Sequence, residues 1–277
     1  MEYRVQQADA APFDAEFRVG GLYDSRVGST SGGADEDSDK ALVLMLAAGW
    51  QPLLKGEFGL RLDYTGYVDF HKDFGEYDAI DQSLSLEPQY RRGPLVFGLP
   101  VSLNVALQAG EDDYVRYLVT PTVTYLFRQA PPAVPLFPTG PREGDRDKEG
   151  ETLQAVSLYG IGAQLDDRDK DRTLDEDGRT LGLGCAYLHL FGNGSRVRLS
   201  LDYLRTEYDA RIADYGTGAA STERREDDAV VAGVDILFRL TAHFGLYANY
   251  SFTRSHSNVS LYDYDRHVAG GGVALSF

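Results

Sequence analysis

The sequence predicts an all-β protein, a transmembrane, antiparallel, up-and-down β-barrel of 12 strands, with 14 strands as the alternative. Apolar residues alternate with polar or small ones over runs of roughly 10 to 16 residues, about twice the usual strand length in soluble proteins. At about 3.3 Å per residue and a tilt near 40°, ten residues span about 25 Å, the height of an outer-membrane barrel's apolar band. The 18 Tyr, 30 Gly and only 2 Met among 277 residues are typical of β-structure with many turns.

The composition excludes several other classes of protein. The longest wholly apolar run, residues 41–50, is about half of what a membrane-spanning helix needs, which excludes a helical membrane protein. The single cysteine, Cys185, excludes a disulfide framework and any zinc site built on several cysteines. The net charge of -16 argues against a nucleic-acid partner, because phosphates require a basic surface. A large soluble sandwich or lipocalin-like barrel also alternates, but it does not need strands of this length.

Six strands are predicted in the first half of the chain. The third has apolar residues at alternate positions between Phe58 and Phe70. The fifth is the clearest, because every second residue from Leu95 to Leu107 is apolar. The sixth alternates in the same way up to Phe127. In order, these strands cover residues 13–26, 40–54, 57–70, 82–92, 94–109 and 114–128.

Six more strands are predicted in the second half. The tenth alternates between Val230 and Leu240, and the eleventh between Phe244 and Phe252. The last strand ends at the terminal Phe277. In order, these strands cover residues 154–166, 179–192, 195–209, 228–241, 243–255 and 266–277.

The connections between these strands alternate in length. An even strand number places both termini on the periplasmic side, where turns are short, while loops on the outer side are longer. Most predicted connections follow this rule, but residues 130–153 form a long periplasmic connection with five prolines. That segment is interpreted as disorder, a docking loop, a lid under the lumen, or a missed hairpin that would make 14 strands. Residues 1–12 are predicted to be an N-terminal periplasmic lead-in to a barrel that covers residues 13–277.

The polar face of the strands is predicted to line the lumen. It carries seven acids and six arginines, and such balanced charges on neighbouring strands favour ion pairs that fill a narrow, partly occluded lumen. Selective passage of anions such as sugar acids is the alternative. The predicted lumen-lining residues are Asp14, Glu16, Arg18, Arg61, Asp63, Asp69, Glu87, Arg91, Arg116, Arg198, Asp202, Asp235 and Arg239.

Neither a metal, a cofactor nor a catalytic site is expected. Residues 167–171 read D-x-D-x-D, but Arg172 and Gly178 replace the Gly and Glu that a calcium loop needs. His256 lies beside Ser255 and Ser257, yet adjacent residues of a strand point to opposite faces, so an enzyme is not expected. The acidic outer loops are interpreted as solvated, with bridging to lipopolysaccharide by divalent cations as the alternative.

Ten tyrosines are predicted to form an aromatic belt at the headgroups of the outer-membrane lipid. They are Tyr64, Tyr67, Tyr90, Tyr114, Tyr117, Tyr125, Tyr203, Tyr208, Tyr247 and Tyr250.

The end of the chain resembles known outer-membrane proteins. Val273, Leu275 and the terminal Phe277 occupy alternate positions, which resembles the signal that the barrel assembly machinery recognises. Residues 250–267, with Tyr250-Ser-Phe252-Thr-Arg254, resemble the closing hairpin of barrels that follow tetratricopeptide repeats, including surface-lipoprotein assembly modifiers.

This resemblance implies a conduit or assembly scaffold in the bacterial outer membrane that exports a lipoprotein or polymer. Its implied partners are a periplasmic tetratricopeptide domain and the exported cargo. A narrow passive or substrate-selective channel is the alternative function.

Overall fold

The computed structural model describes residues 13–26, 38–75, 78–108, 114–127, 153–167, 177–211, 224–259 and 262–277. Within these ranges the chain is built almost wholly from antiparallel strands. They are β1 (Phe13–Asp24), β2 (Asp39–Lys55), β3 (Phe58–His71), β4 (Ala79–Arg92), β5 (Leu95–Gly98), β6 (Val101–Gln108), β7 (Tyr114–Val119), β8 (Thr122–Leu126), β9 (Leu153–Asp167), β10 (Gly178–Leu190), β11 (Arg196–Arg211), β12 (Arg224–Arg239), β13 (Phe244–Ser257) and β14 (Tyr264–Ser276).

Two of the barrel strands are interrupted at prolines. Both β5 and β6 pair with β4, so they form one barrel strand that is broken at Pro100. Both β7 and β8 pair with β9, so they form another that is broken at Pro121. Proline has no N–H and cannot donate to the ladder, which explains both breaks. In the described part of the chain, the fourteen segments therefore make twelve barrel strands, and the predicted strand number is confirmed.

The barrel closes between its first and last strands. Residues of β1 from Glu16 to Asp24 pair with residues of β14 from Ser276 to Val268. The terminal residue continues this ladder, because the Phe277 N–H donates to the Ala15 carbonyl at 2.9 Å. The sheet therefore has no free edge within the described residues, as a membrane-spanning barrel requires.

The short turns lie at one end of the barrel, where both chain termini of the barrel also lie. Gly56 (φ 63°), Gly93 (φ 59°) and Gly194 (φ 81°) occupy the left-handed conformation in three of these turns. In outer-membrane barrels the end with short turns is the periplasmic end. The predicted lead-in, residues 1–12, and the predicted connection, apart from residue 153, lie outside the described residues.

The outer surface of the barrel is apolar. Leu158, Leu181 and Leu183 are 62%, 71% and 70% exposed on this face. Aromatic rings follow one another around the periplasmic rim, with ring centroids 5.0 Å apart for Phe58 and Tyr90 and 5.1 Å apart for Tyr125 and Phe127. Such a girdle is typical of the membrane interface. Separately, the described residues contain no helix long and apolar enough to cross a membrane.

The residues of the predicted assembly signal lie on this outer face. Val273, Leu275 and Phe277 are 37%, 38% and 72% exposed, and they end the strand that closes the barrel. Their recognition by the assembly machinery remains a prediction.

We expect Phe277→Ala to slow membrane insertion several-fold, because it removes an exposed ring from the end of the closing strand. The β content in detergent should stay the same, since only the backbone of Phe277 takes part in the ladder. The measurement is the rate at which the heat-modifiable folded band appears in vesicles that contain the assembly machinery. Equal rates for the variant and the parent would contradict the prediction.

Candidate functional site: the charged lumen

The strand register places all thirteen predicted lumen residues on the inward face of the barrel. Arg61 is paired with Glu87, and Arg198 with Asp235, so these side chains share one face. That face is the inner one, because Arg18 of β1 reaches Asp235 of β12 across two intervening strands, with Nη1 and Oδ2 3.2 Å apart. Arg91 lies at the periplasmic rim, where its Nε donates to the Gly93 carbonyl at 3.4 Å.

Glu16 is the centre of an ion-pair cluster in the periplasmic half of the lumen. Its Oε1 accepts from Arg18 Nε at 2.8 Å and from Arg196 Nη2 at 3.3 Å. Its Oε2 lies 3.5 Å from Arg239 Nη2 and accepts from the Ser276 hydroxyl at 3.3 Å. A single carboxylate on β1 thus joins arginines of β11 and β12.

Arg196 was not among the predicted lumen residues. It follows a periplasmic turn as the first residue of β11, where the alternation has only begun. It nevertheless lies two residues before Arg198, and strand residues two apart share a face. The spacing of two residues from Arg198 is therefore the feature of the sequence that identifies Arg196 as a lumen residue.

A second ion-pair cluster surrounds Arg61 of β3. The Arg61 guanidinium donates from Nε to Asp63 Oδ1 at 2.7 Å, and its Nη2 lies 3.3 Å from Asp14 Oδ2. The neighbouring strand has Gly49 at this level, and a Cβ there would overlap the guanidinium and lie 2.6 Å from Asp14 Oδ1. The missing side chain at residue 49 therefore leaves the space that the ion pair occupies.

The signs of the inward charges are unevenly distributed. In the periplasmic half, β1, β11 and β12 carry the arginines at 18, 196, 198 and 239 against the carboxylates Asp14, Glu16 and Asp235, of which Asp14 pairs with Arg61 of β3. In a closed barrel of twelve strands, β3 and β4 face β11 and β12. The same half of these facing strands carries Asp63 and Glu87 together with Arg61 and Arg91, whereas Asp69 and Asp81 lie toward the outer end. The lumen thus combines the predicted ion pairs with a local surplus of arginine on the wall formed by β1, β11 and β12.

The lumen is accessible to water beside Arg198. This residue lies on the inward face, yet it is exposed, and no ion pair among the described residues involves it. The side chains of Asp63 and Asp235 are 31% and 28% exposed, whereas that of Arg239 is 1% exposed. Hydrated and buried charges therefore lie side by side on the inner wall.

Apolar side chains fill part of the periplasmic end of the lumen. On the inward face of β5 and β8–β10, a buried cluster is formed by Val96, Leu126, Leu153, Ala155 and Leu190. No ion pair among the described residues involves the inward face of β5, β8, β9 or β10, and these apolar side chains narrow this end of the barrel.

Four of the ten predicted belt tyrosines face the lumen, so the belt assignment was wrong for them. Tyr67 shares a face with Asp63 and Asp69, and Tyr247 lies beneath Arg18, whose Cζ is 5.0 Å from the ring centroid. Tyr114 and Tyr208 also face inward. Tyr67, Tyr114 and Tyr208 each lie an even number of residues from an inward-facing charged residue of the same strand, so the alternation already placed these three on the inner face. The other six face outward, and Tyr117 is 53% exposed.

The histidine and the two serines considered from the sequence lie on opposite faces of β13. Among the described residues, no group of three or more His, Cys, Asp or Glu side chains could hold a metal ion. His256 faces outward with its side chain 80% exposed and pairs with Asp263 at 3.1 Å, whereas Ser255 and Ser257 are buried on the inward face. Most of the acidic outer loops lie outside the described residues, so their binding of divalent cations remains a prediction.

Taken together, the closed barrel, its apolar outer face and its charged lumen define a bacterial outer-membrane β-barrel protein. The chain is similar in fold to an outer-membrane channel from Pseudomonas putida F1, with 14% identity over 96% of this chain and 94% of that one, at a TM-score of 0.50. It also matches an anion-selective porin from Comamonas acidovorans, with 10% identity over 96% of this chain and 98% of that one, at a TM-score of 0.40. No protein-family model and no curated protein matches the sequence.

Proposed function

We propose that this protein is a narrow outer-membrane channel for small polar solutes that favours anions. The observation that carries this proposal is Arg198, a water-accessible cation on the inner wall that forms no ion pair with a described carboxylate. A charged group of this kind attracts solutes of opposite sign and orients them as they pass.

The surrounding wall supports the same preference. Arg18, Arg196 and Arg239 lie near Arg198 on β1, β11 and β12, and their ion-pair partners among the described residues are Glu16 and Asp235. The buried apolar cluster on the other side restricts the width that a solute can use. A lumen of twelve strands lies between the eight that side chains can fill and the sixteen of open porins.

We expect the refolded barrel to give steady single-channel currents across a planar bilayer, with a reversal potential in a KCl gradient that indicates preference for chloride. Arg198→Gln should shift the reversal potential toward cations, because it removes from the inner wall a cation that has no ion pair among the described residues. A folded barrel that carries no current would contradict the channel function.

The matched control is Arg205→Gln on the same strand. Arg205 pairs with Glu226 outside the lumen, and its side chain is 47% exposed. Its replacement should leave conductance and selectivity unchanged. An equal shift in both variants would show that the selectivity does not arise at Arg198.

The conduit or assembly scaffold for a lipoprotein or polymer remains the other hypothesis. It would be favoured by a correctly folded barrel that is silent in the bilayer, together with a tetratricopeptide array in the full-length gene product. Pull-down of such an array on the folded barrel would test the predicted partner directly.

A further inference from the structure

We infer that Arg18, Arg196 and Arg239 form a binding subsite for the carboxylate group of a small organic acid, with Glu16 as its displaceable internal ligand. The inference rests on the proposed channel function and identifies the class of solute. Three observations support it: the excess of hydrogen-bond donors, the unpaired nitrogens of Arg239, and a cavity beside Arg18.

The donors of the cluster outnumber its acceptors. A guanidinium carries five N–H donors, and a carboxylate accepts about four hydrogen bonds. Here three guanidiniums face two carboxylates, since Asp235 lies 3.2 Å from Arg18 Nη1 and 3.8 Å from Arg196 Nε. The cluster therefore has the capacity to hold one more anion.

The hydrogen-bond donors that remain unused belong to Arg239. Its side chain is 1% exposed, and its Nε and Nη1 are buried without any hydrogen-bond partner. Its only ion pair among the described residues is the 3.5 Å contact with Glu16, which is longer than the roughly 2.8 Å of a charge-assisted hydrogen bond. Buried donors without partners are costly, so a carboxylate that moves closer to Arg239 is stabilised.

This arrangement suggests how a solute is exchanged. Arg18 and Arg196 are 11% and 14% exposed, so they are the cations of the cluster that a solute reaches from the hydrated region near Arg198. A solute carboxylate that binds these two guanidiniums competes with Glu16. Glu16 then moves toward Arg239, whose unpartnered Nε–H and Nη1–H groups donate hydrogen bonds to it. The exchange adds one negative charge, so that three carboxylates then face the three guanidiniums.

A cavity of about 70 Å³ adjoins the cluster on the inner wall. Arg18 lines it together with Met45, Tyr67, Tyr247 and Asn249. The phenol groups and the amide offer hydrogen bonds beside the guanidinium, and the thioether offers an apolar contact. The cavity is therefore suited to the part of an organic acid that adjoins its carboxylate.

The test is calorimetric titration of sodium gluconate into the detergent-folded barrel, which does not depend on conduction. We expect saturable binding that weakens at least tenfold in Arg196→Gln. Glu16→Gln should bind gluconate several-fold more tightly, because the internal competitor has lost its charge. Arg205→Gln should bind as the parent does, and heat-modifiable migration checks the folding of each variant.

Each outcome separates this inference from the channel function. Conducting channels without saturable gluconate binding would overturn the subsite and leave the channel standing. Binding that is equal in Arg196→Gln and Glu16→Gln would also overturn it, as would binding of inorganic phosphate but not gluconate. Gluconate binding with the expected variant pattern in a barrel that carries no current would support the subsite and reject the channel.

Discussion

Gly20→Val should prevent the barrel from closing. A Cβ at this position would overlap the Gly271 carbonyl oxygen and the Tyr247 hydroxyl, and it would lie 2.9 Å from the Gly271 carbonyl carbon. The carbonyl belongs to the backbone of the closing strand, so it cannot move without breaking the β1–β14 ladder. Overpacking of this kind costs about 1–3 kcal/mol or more. We expect most of the protein to lack the heat-modifiable folded band after refolding into vesicles.

Gly21→Val provides the matched control. Gly21 is the next residue of the same strand, it faces the membrane, and the nearest atom to its added Cβ is the Ala41 oxygen at 4.0 Å. This variant should refold with the parent's yield. If Gly20→Val refolded equally well, the close approach of the strands at Gly20 would not be a requirement for closure.

The period of the hydrophobic pattern predicted the barrel because lipid and lumen impose opposite chemistry on the two faces of every strand. The predicted first residues of the strands were less accurate where both faces of a strand are polar. For example, β12 begins at Arg224 rather than at residue 228, because Arg224 to Asp228 has no apolar residue to mark the alternation. The interruptions at Pro100 and Pro121 leave the alternation unchanged, although they break the ladder.

The contacts of Glu16 could not be predicted from the local pattern. Alternation indicates which face a residue occupies, but closure of the barrel and the offset between strands decide which inward residues meet. Arg196 is 180 residues from Glu16 in the chain, and Arg239 is 223 residues away. Both become neighbours of Glu16 only because β1 joins β14. The predicted charge balance therefore missed the local excess of arginine.

Arg61→Met should destabilise the folded barrel strongly. Arg61 is 5% exposed and is the cation shared by Asp63, at 2.7 Å, and Asp14, at 3.3 Å. Its loss leaves two carboxylates in the lumen wall without their counterion, and breaking a buried ion pair in this way costs about 3–5 kcal/mol. Because the Asp63 side chain is 31% exposed, we expect a loss near the lower limit, about 3 kcal/mol. Urea unfolding in vesicles measures it.

The cause of this loss can be separated from a general effect of removing an arginine. Arg205→Met removes an exposed cation that pairs with Glu226, and it should cost less than about 1 kcal/mol. Adding Asp14→Asn and Asp63→Asn to Arg61→Met should restore most of the stability, because no uncompensated carboxylate then remains. Acidic buffer should likewise reduce the difference between Arg61→Met and the parent. A triple variant as unstable as Arg61→Met would instead assign the loss to the packing of the arginine side chain against Gly49.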